Sequence, residues 1–309
     1  MTETNGTLAC ENGCWIRHKV QLSSMYAAIP MTISILIFIS NTLILITLAR
    51  VKKRRLQDLF LLGLSIGDLL TSIPVASNAV CLLTGFATLN QTVCNLWATA
   101  LHSCVGTTFC IHSAICIEKC YSIVKPVEHR AFEAIPDSTR KVTCGVFVAF
   151  LLPWTVFFTL SFAGEIRAEF STTLAFCHFM VDFTATSVIG CLIGVPLVIE
   201  LVTHAVILHR VKTRILSSQQ RKKIFKAMKT VVLTVGIFYV CNVPSFILSF
   251  CEMIMKTEFS DMALFAVTQV IMANSFMNYF IYFSSVPRFR DAVYTMFRFD
   301  PRVHPENGS

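Results

Sequence analysis

The sequence predicts an all-α membrane protein, a bundle of seven transmembrane helices followed by a short cytoplasmic amphipathic helix. Three observations predict it. Of the 309 residues, 54% are hydrophobic and only 14% charged. A soluble domain carries roughly 25% charged residues, so there is too little polar surface here to cover a water-soluble globule. Second, five stretches hold no Asp, Glu, Lys or Arg: Met25–Ala49, Cys94–Ile117, Val142–Gly164, Thr230–Cys251 and Met262–Pro287. Two more, Leu59–Leu89 and Phe183–Leu208, carry one acid each, Asp68 and Glu200. Each meets the ~20 apolar residues that cross a ~30 Å hydrocarbon core. Third, all but four of the 26 Lys and Arg (Arg17, Lys19, Arg167 and Lys256) fall in the loop after the first span, the third-to-fourth and fifth-to-sixth connections and the tail. That side is cytoplasmic by the positive-inside rule, which puts the N-terminus outside. The net charge of +8 then reports topology and anionic membrane lipid, and no nucleic-acid partner is needed.

Residues 1–24 read as an extracellular N-terminus, 25–286 as one bundle domain, and 287–309 as the amphipathic helix with a short tail. The opening MTETNGTLACENGC lacks the basic start and apolar run of a cleavable signal peptide, so the first span is expected to be the insertion signal. Sequons at Asn5 and Asn90 lie on the outer side and are expected to carry glycans, whereas the one at Asn307 lies inside and stays bare. Interior prolines are read at Pro30, Pro74, Pro153, Pro196 and Pro244, each removing a backbone hydrogen bond. For Pro196 and Pro244 two readings stand open, plain kinks and mid-span flex points. Cys104, Cys110, Cys116, Cys191 and Cys241, inside spans, read as small buried apolar residues. After the seventh span Phe289, Val293, Met296 and Phe297 recur on one helical face beside Arg288, Arg290 and Arg298, with Pro287 in the first turn. That pattern is a helix lying on the inner leaflet.

A charge in hydrocarbon faces a partner or water. Asp68, in LSIGDLL, is such a charge, and Asn41, Thr108, Asn274, Ser275 and Asn278 lie at similar depth. These oxygens suit a small hard cation; they equally suit a protonated Asp in a hydrogen-bond network. His112, Glu200 and His204 read either as a deeper polar relay or as packed and snorkelling groups.

Several motifs now fall into one order. Asn41 stands in ISNTLILI and Asp68 ends LSIGD. Cys94 lies 25 residues before Lys119 in Glu118-Lys119-Cys120. Pro196 and Pro244 occupy the fifth and sixth spans, with Phe238 six residues before Pro244, and Asn274–Tyr282 reads NSFMNYFIY. In order and register the chain resembles the rhodopsin-like G-protein-coupled receptors over nearly its whole length. The resemblance implies a plasma-membrane receptor that carries an extracellular chemical signal to a heterotrimeric G protein. It implies a disulfide between Cys94 and Cys177, both on the oxidising face, and a sodium ion at Asp68, Thr108, Asn274 and Ser275 as the one candidate cofactor. It implies a small-ligand pocket lined by Leu101, His102, Val105, Val188, Phe246 and Thr268, with His102 and His178 as polar anchors or as satisfied histidines. Coupling and switching positions are Glu118, Lys119, Phe238, Asn242, Pro244, Asn278 and Tyr282.

The chain also departs from that pattern. Lys119 replaces the family's Arg and Cys120 its Tyr; Asn242 replaces a Trp, Tyr279 a Pro, and Cys144 a Trp. Ile224 stands where an acid usually sits, which leaves Glu118 as the expected partner of Lys119. Leu101 in place of an Asp argues against an amine ligand, and a seventh span without Lys excludes a retinal Schiff base. These departures keep a non-signalling homologue, a decoy or a chaperone, open as an alternative. A small-solute transporter would show repeat symmetry and broken Gly-rich helices, and the sequence shows neither. There is no nucleophile–base pair or phosphate loop, so no enzyme is expected.

Overall fold

The computed structural model describes residues 16–19, 24–50, 56–135, 137–172, 175–179, 183–213, 233, 236–248, 251, 255 and 260–296. A 3-10 turn, Ser24–Ala27, leads into α1 (Ala28–Arg50), followed by α2 (Leu56–Thr84), α3 (Gln91–Val124), α4 (Pro126–Ala134), α5 (Ser138–Ala163) and α6 (Phe183–Thr213). Then come α7 (Gly236–Leu248), α8 (Asp261–Ser285) and α9 (Pro287–Met296). Helices α1, α2, α3, α5, α6 and α8 are long and apolar enough to cross a membrane, and α7 is a shorter apolar helix. The remainder of the expected sixth span, Thr230–Cys251, lies largely outside the described residues, as do Asn5, Cys10, Cys14 and Ile224.

Local chemistry sets the helix ends. Asn90 caps α3 by accepting from the Val93 N–H at 2.8 Å. Pro126 opens α4, where its missing N–H costs nothing. Gly164, at φ 76°, closes α5 in the left-handed conformation that favours glycine.

Helix α3 is the axis. It packs on α2, α5, α6 and the strand pair Ala168–Ser171 and Phe176–Phe179, while α1 packs on α2 and α8. Phe60, Leu64, Ile111 and Ile115 bury the α2–α3 contact, with Val146 and Phe150 of α5 against it. The outside of the bundle is apolar: Phe38, Phe147, Phe162, Val198, Leu201 and Val240 are exposed. Hydrocarbon is the solvent that accepts such a surface, since water-soluble proteins rarely show apolar patches of this extent.

Several expectations need correction. The acid-poor stretch to Leu89 is not one span: α2 ends at Thr84, Gly85 takes φ 73°, and Phe86–Leu89 becomes β2. Strand β2 pairs antiparallel with the distant β1 (Ile16–Lys19), and a hairpin pairs β3 (Ala168–Ser171) with β4 (Phe176–Phe179). Pro30 sits in the first turn of α1, where no intrahelical bond is lost. Cys191 is exposed and Cys110 only partly buried, so neither is a fully buried filler. Helix α9 does not merely lie on lipid. Its Phe289 and Val293 are buried in a cluster with Ile44, Leu48 and Leu61 of α1 and α2.

Candidate functional site

The middle of the bundle is organised on Asp68, which has no exposed surface. Its Oδ1 accepts from the Thr108 hydroxyl of α3 at 3.1 Å and its Oδ2 from the Asn278 amide of α8 at 2.9 Å. The Ser275 hydroxyl lies beside it. Asn41 donates to the Ser275 carbonyl at 3.0 Å and to Ile37 of its own helix, adding α1 to the junction. Asn274 is buried in the same stretch of α8. One carboxylate thus joins α2, α3 and α8. The carboxylate and hydroxyl oxygens of Asp68, Thr108 and Ser275 are the donor chemistry that a small hard cation takes.

Toward the hairpin end lies a cavity of about 10 Å³, room for about one water. It is lined by Pro74, Val75 and Asn78 of α2, Leu101 of α3, Phe176 of β4, and Thr268, Gln269 and Met272 of α8. Of the expected lining set, Leu101 and Thr268 face it, and Val105 packs on the apolar cluster alongside. His102 does not face it. Its ring packs against Phe157 and Phe179, which stack on each other, with Nδ1 donating to Ala98 O at 2.8 Å. Val188 packs into that second cluster, and Phe246 is 41% exposed on α7. His178 stands edge-on to Phe176 with a buried Nδ1 that lacks a partner. Burial holds this imidazole below the usual histidine range, and Glu169, across the strand pair, opposes that. Sequence reasoning missed Asn78 and Gln269, although polar residues inside spans are themselves a signal.

The disulfide is present: Cys94 at the start of α3 bonds Cys177 of β4, with Cα atoms 5.3 Å apart. It fixes the β3–β4 hairpin over the bundle, putting Phe176 in the cavity wall. Gln91 strengthens the attachment by donating to Ala168 O at 2.7 Å.

At the opposite end Glu118 Oε1 accepts from His129 of α4 at 3.0 Å and from Gln57 of α2 at 3.3 Å. Glu118, expected to serve Lys119, is therefore engaged by α2 and α4. Between the two ends Phe238 is fully buried, stacked on His112 with ring centroids 4.6 Å apart and edge-on to Phe109. Asn242 donates to Phe238 O at 2.7 Å, within its own helix. Pro244, six residues beyond Phe238, is exposed. Tyr282 packs with Phe289 of α9.

No curated protein matches the chain. A family model described as "7 transmembrane receptor (rhodopsin family)" matches residues 40–282, a span that holds the Asp68 junction, the disulfide and the cavity. The chain is a multi-pass membrane protein that belongs to the rhodopsin family of seven-transmembrane receptors.

Proposed function

We propose that this receptor passes the binding of a small extracellular ligand to a heterotrimeric G protein at the plasma membrane. The hairpin end then faces outward and the α4–α9 end faces the cytoplasm. The observation that carries the reading is the Asp68 junction. Leu101 of the cavity lies about two helical turns above Thr108 on α3, and Met272 stands above Asn278 on α8. A ligand that prefers one arrangement of these helices shifts the population of the whole bundle. The opened cytoplasmic cleft, with Lys119 in α3 and with Lys226 and Lys229 in the sequence outside the described residues, then takes a partner helix in its groove. Asp68, Thr108, Asn274 and Ser275 hold sodium in the resting arrangement, and Asn5 and Asn90 carry glycans. The test is a ligand screen read with a panel of G-protein biosensors. Ligand-dependent dissociation of one G-protein class supports the reading, and silence across the panel at normal surface expression sinks it.

A non-signalling homologue is the second reading, favoured by Lys119, Asn242 and Tyr279 in place of the family's switch residues. Lys keeps the charge but loses the planar fork of Arg, and Ile224 offers no carboxylate. A signalling receptor with so weak a latch has ligand-independent activity, and Ile224→Glu lowers it. A native chain that is silent, together with an Ile224→Glu variant that changes nothing, favours the decoy.

A further inference from the structure

Glu200 of α6 is the second acid of the membrane core. It has no exposed surface, and among the described residues neither carboxyl oxygen has a hydrogen-bond partner at close range. Asp68 is different, since a hydroxyl and an amide both donate to it. The hydroxyls near Glu200 point their protons elsewhere. Ser113 of α3 donates to Pro196 O at 3.1 Å, and Tyr239 of α7 donates to Leu197 O at 2.8 Å. Cys116, one turn along α3, also faces Glu200. On its own helix, His204 Nδ1 donates to the Glu200 carbonyl at 2.6 Å and leaves Nε2 buried without a partner. Lys119 also acts electrostatically on Cys116. Among the described residues the surroundings therefore offer Glu200 oxygen lone pairs and the hydroxyl of Ser113, whose proton is drawn to Pro196 O. A carboxylate so placed pays the full desolvation cost; a neutral acid does not, and it can donate its own proton to the Ser113 oxygen.

We propose that Glu200 is a proton-binding site. The arrangement in which α3, α6 and α7 are packed together holds it as the neutral acid, and parting of α6 from α3 releases the proton to water. On release the O–H bond breaks, its electron pair stays on the carboxylate, and Lys119 supplies the nearby positive charge. The open-to-packed ratio then rises with cytoplasmic pH, by up to about tenfold per pH unit for one proton. Glu200→Gln, permanently neutral, holds the packed arrangement.

The experiment uses the full-length receptor in lipid nanodiscs and needs neither ligand nor transducer, so its outcome is independent of the coupling proposed above. Infrared spectra should contain a carboxylic-acid C=O band that persists in Asp68→Asn and disappears in Glu200→Gln. Thermal stability of the native chain should fall as pH rises, because the folded state binds a proton that the unfolded chain has already lost; in Glu200→Gln that fall should flatten. Ser113→Ala, which leaves the acid in place, should shift the band by removing its neighbour. This variant decides the matter if Glu200→Gln fails to fold. A native spectrum without the band, or a band untouched by both Glu200→Gln and Ser113→Ala, overturns the proposal.

Discussion

Glu118 on α3 accepts a hydrogen bond from His129, eleven residues further along and on a separate helix, at 3.0 Å. Gln57 of α2 donates to the same oxygen, so one carboxylate ties together α2, α3 and α4. A hydrogen bond to a charged group is worth about 1.5–3 kcal/mol. His129→Ala should therefore release α4 and raise ligand-independent signalling, by about tenfold to a hundredfold if the whole contact belongs to the resting arrangement. Basal biosensor output plotted against surface expression measures this. An unchanged slope would mean that the contact positions α4 equally in both arrangements.

Sodium at Asp68 should weaken agonists by linkage, because an ion that prefers one arrangement opposes ligands that prefer the other. Replacing a bulky organic cation with sodium should lower agonist affinity, and Asp68→Asn should abolish the effect. Affinity insensitive to sodium in the native receptor would leave Asp68 as a structural junction between α2, α3 and α8.

His178 gives the hairpin an acid limit. Burial lowers its proton affinity in the folded chain, so the unfolded chain binds more protons on acidification. Its contribution is fully present above about pH 6.5, the ordinary histidine value, and is lost as pH falls below that. In the Glu200→Gln background, where the opposing proton site of α6 is silent, the melting temperature in nanodiscs should drop between about pH 7 and pH 5, and adding His178→Gln should soften the drop. A level profile over that range in the Glu200→Gln background would show that Glu169 cancels the effect of burial.

Gly106 and Gly145 should respond with opposite signs. A Cβ on Gly106 would stand 2.9 Å from Cβ of Pro153, a rigid ring, so Gly106→Ala should cost about 1–3 kcal/mol by forcing α3 and α5 apart. A Cβ on Gly145 meets nothing within 4 Å, so Gly145→Ala should gain up to about 1 kcal/mol in helix propensity. Paired thermal melts decide it; a destabilised Gly145→Ala would contradict the open space beside it.

Much of this architecture is written in the hydropathy pattern. Helices α1, α5 and α8 fall within a few residues of charge-free stretches because hydrocarbon tolerates little else. Asp68 and Asn278 were legible as costly polar groups that require partners, and their 2.9 Å contact meets that requirement. Cys94 was legible from the family's spacing and Cys177 from its place in the outer loop. The two strand pairs were not, because Phe86–Leu89 and Phe176–Phe179 carry apolar residues that read equally well as helix, and only pairing with another strand distinguishes them. His102 was misplaced for a related reason: helical register puts it beside Leu101, but a difference of about 100° around the helix sends the two to different neighbours. Gln57 and His129 escaped notice because their partnership with Glu118 depends on how α4 folds back.

Phe289 and Val293 make the tail part of the wall it leans on. For anyone cutting or tagging this receptor, the chain therefore has a practical boundary. A fusion partner joined at Val286 would strip two hydrophobic plugs from Ile44, Leu48 and Leu61 and leave a greasy socket. A junction placed beyond Met296 leaves that socket filled.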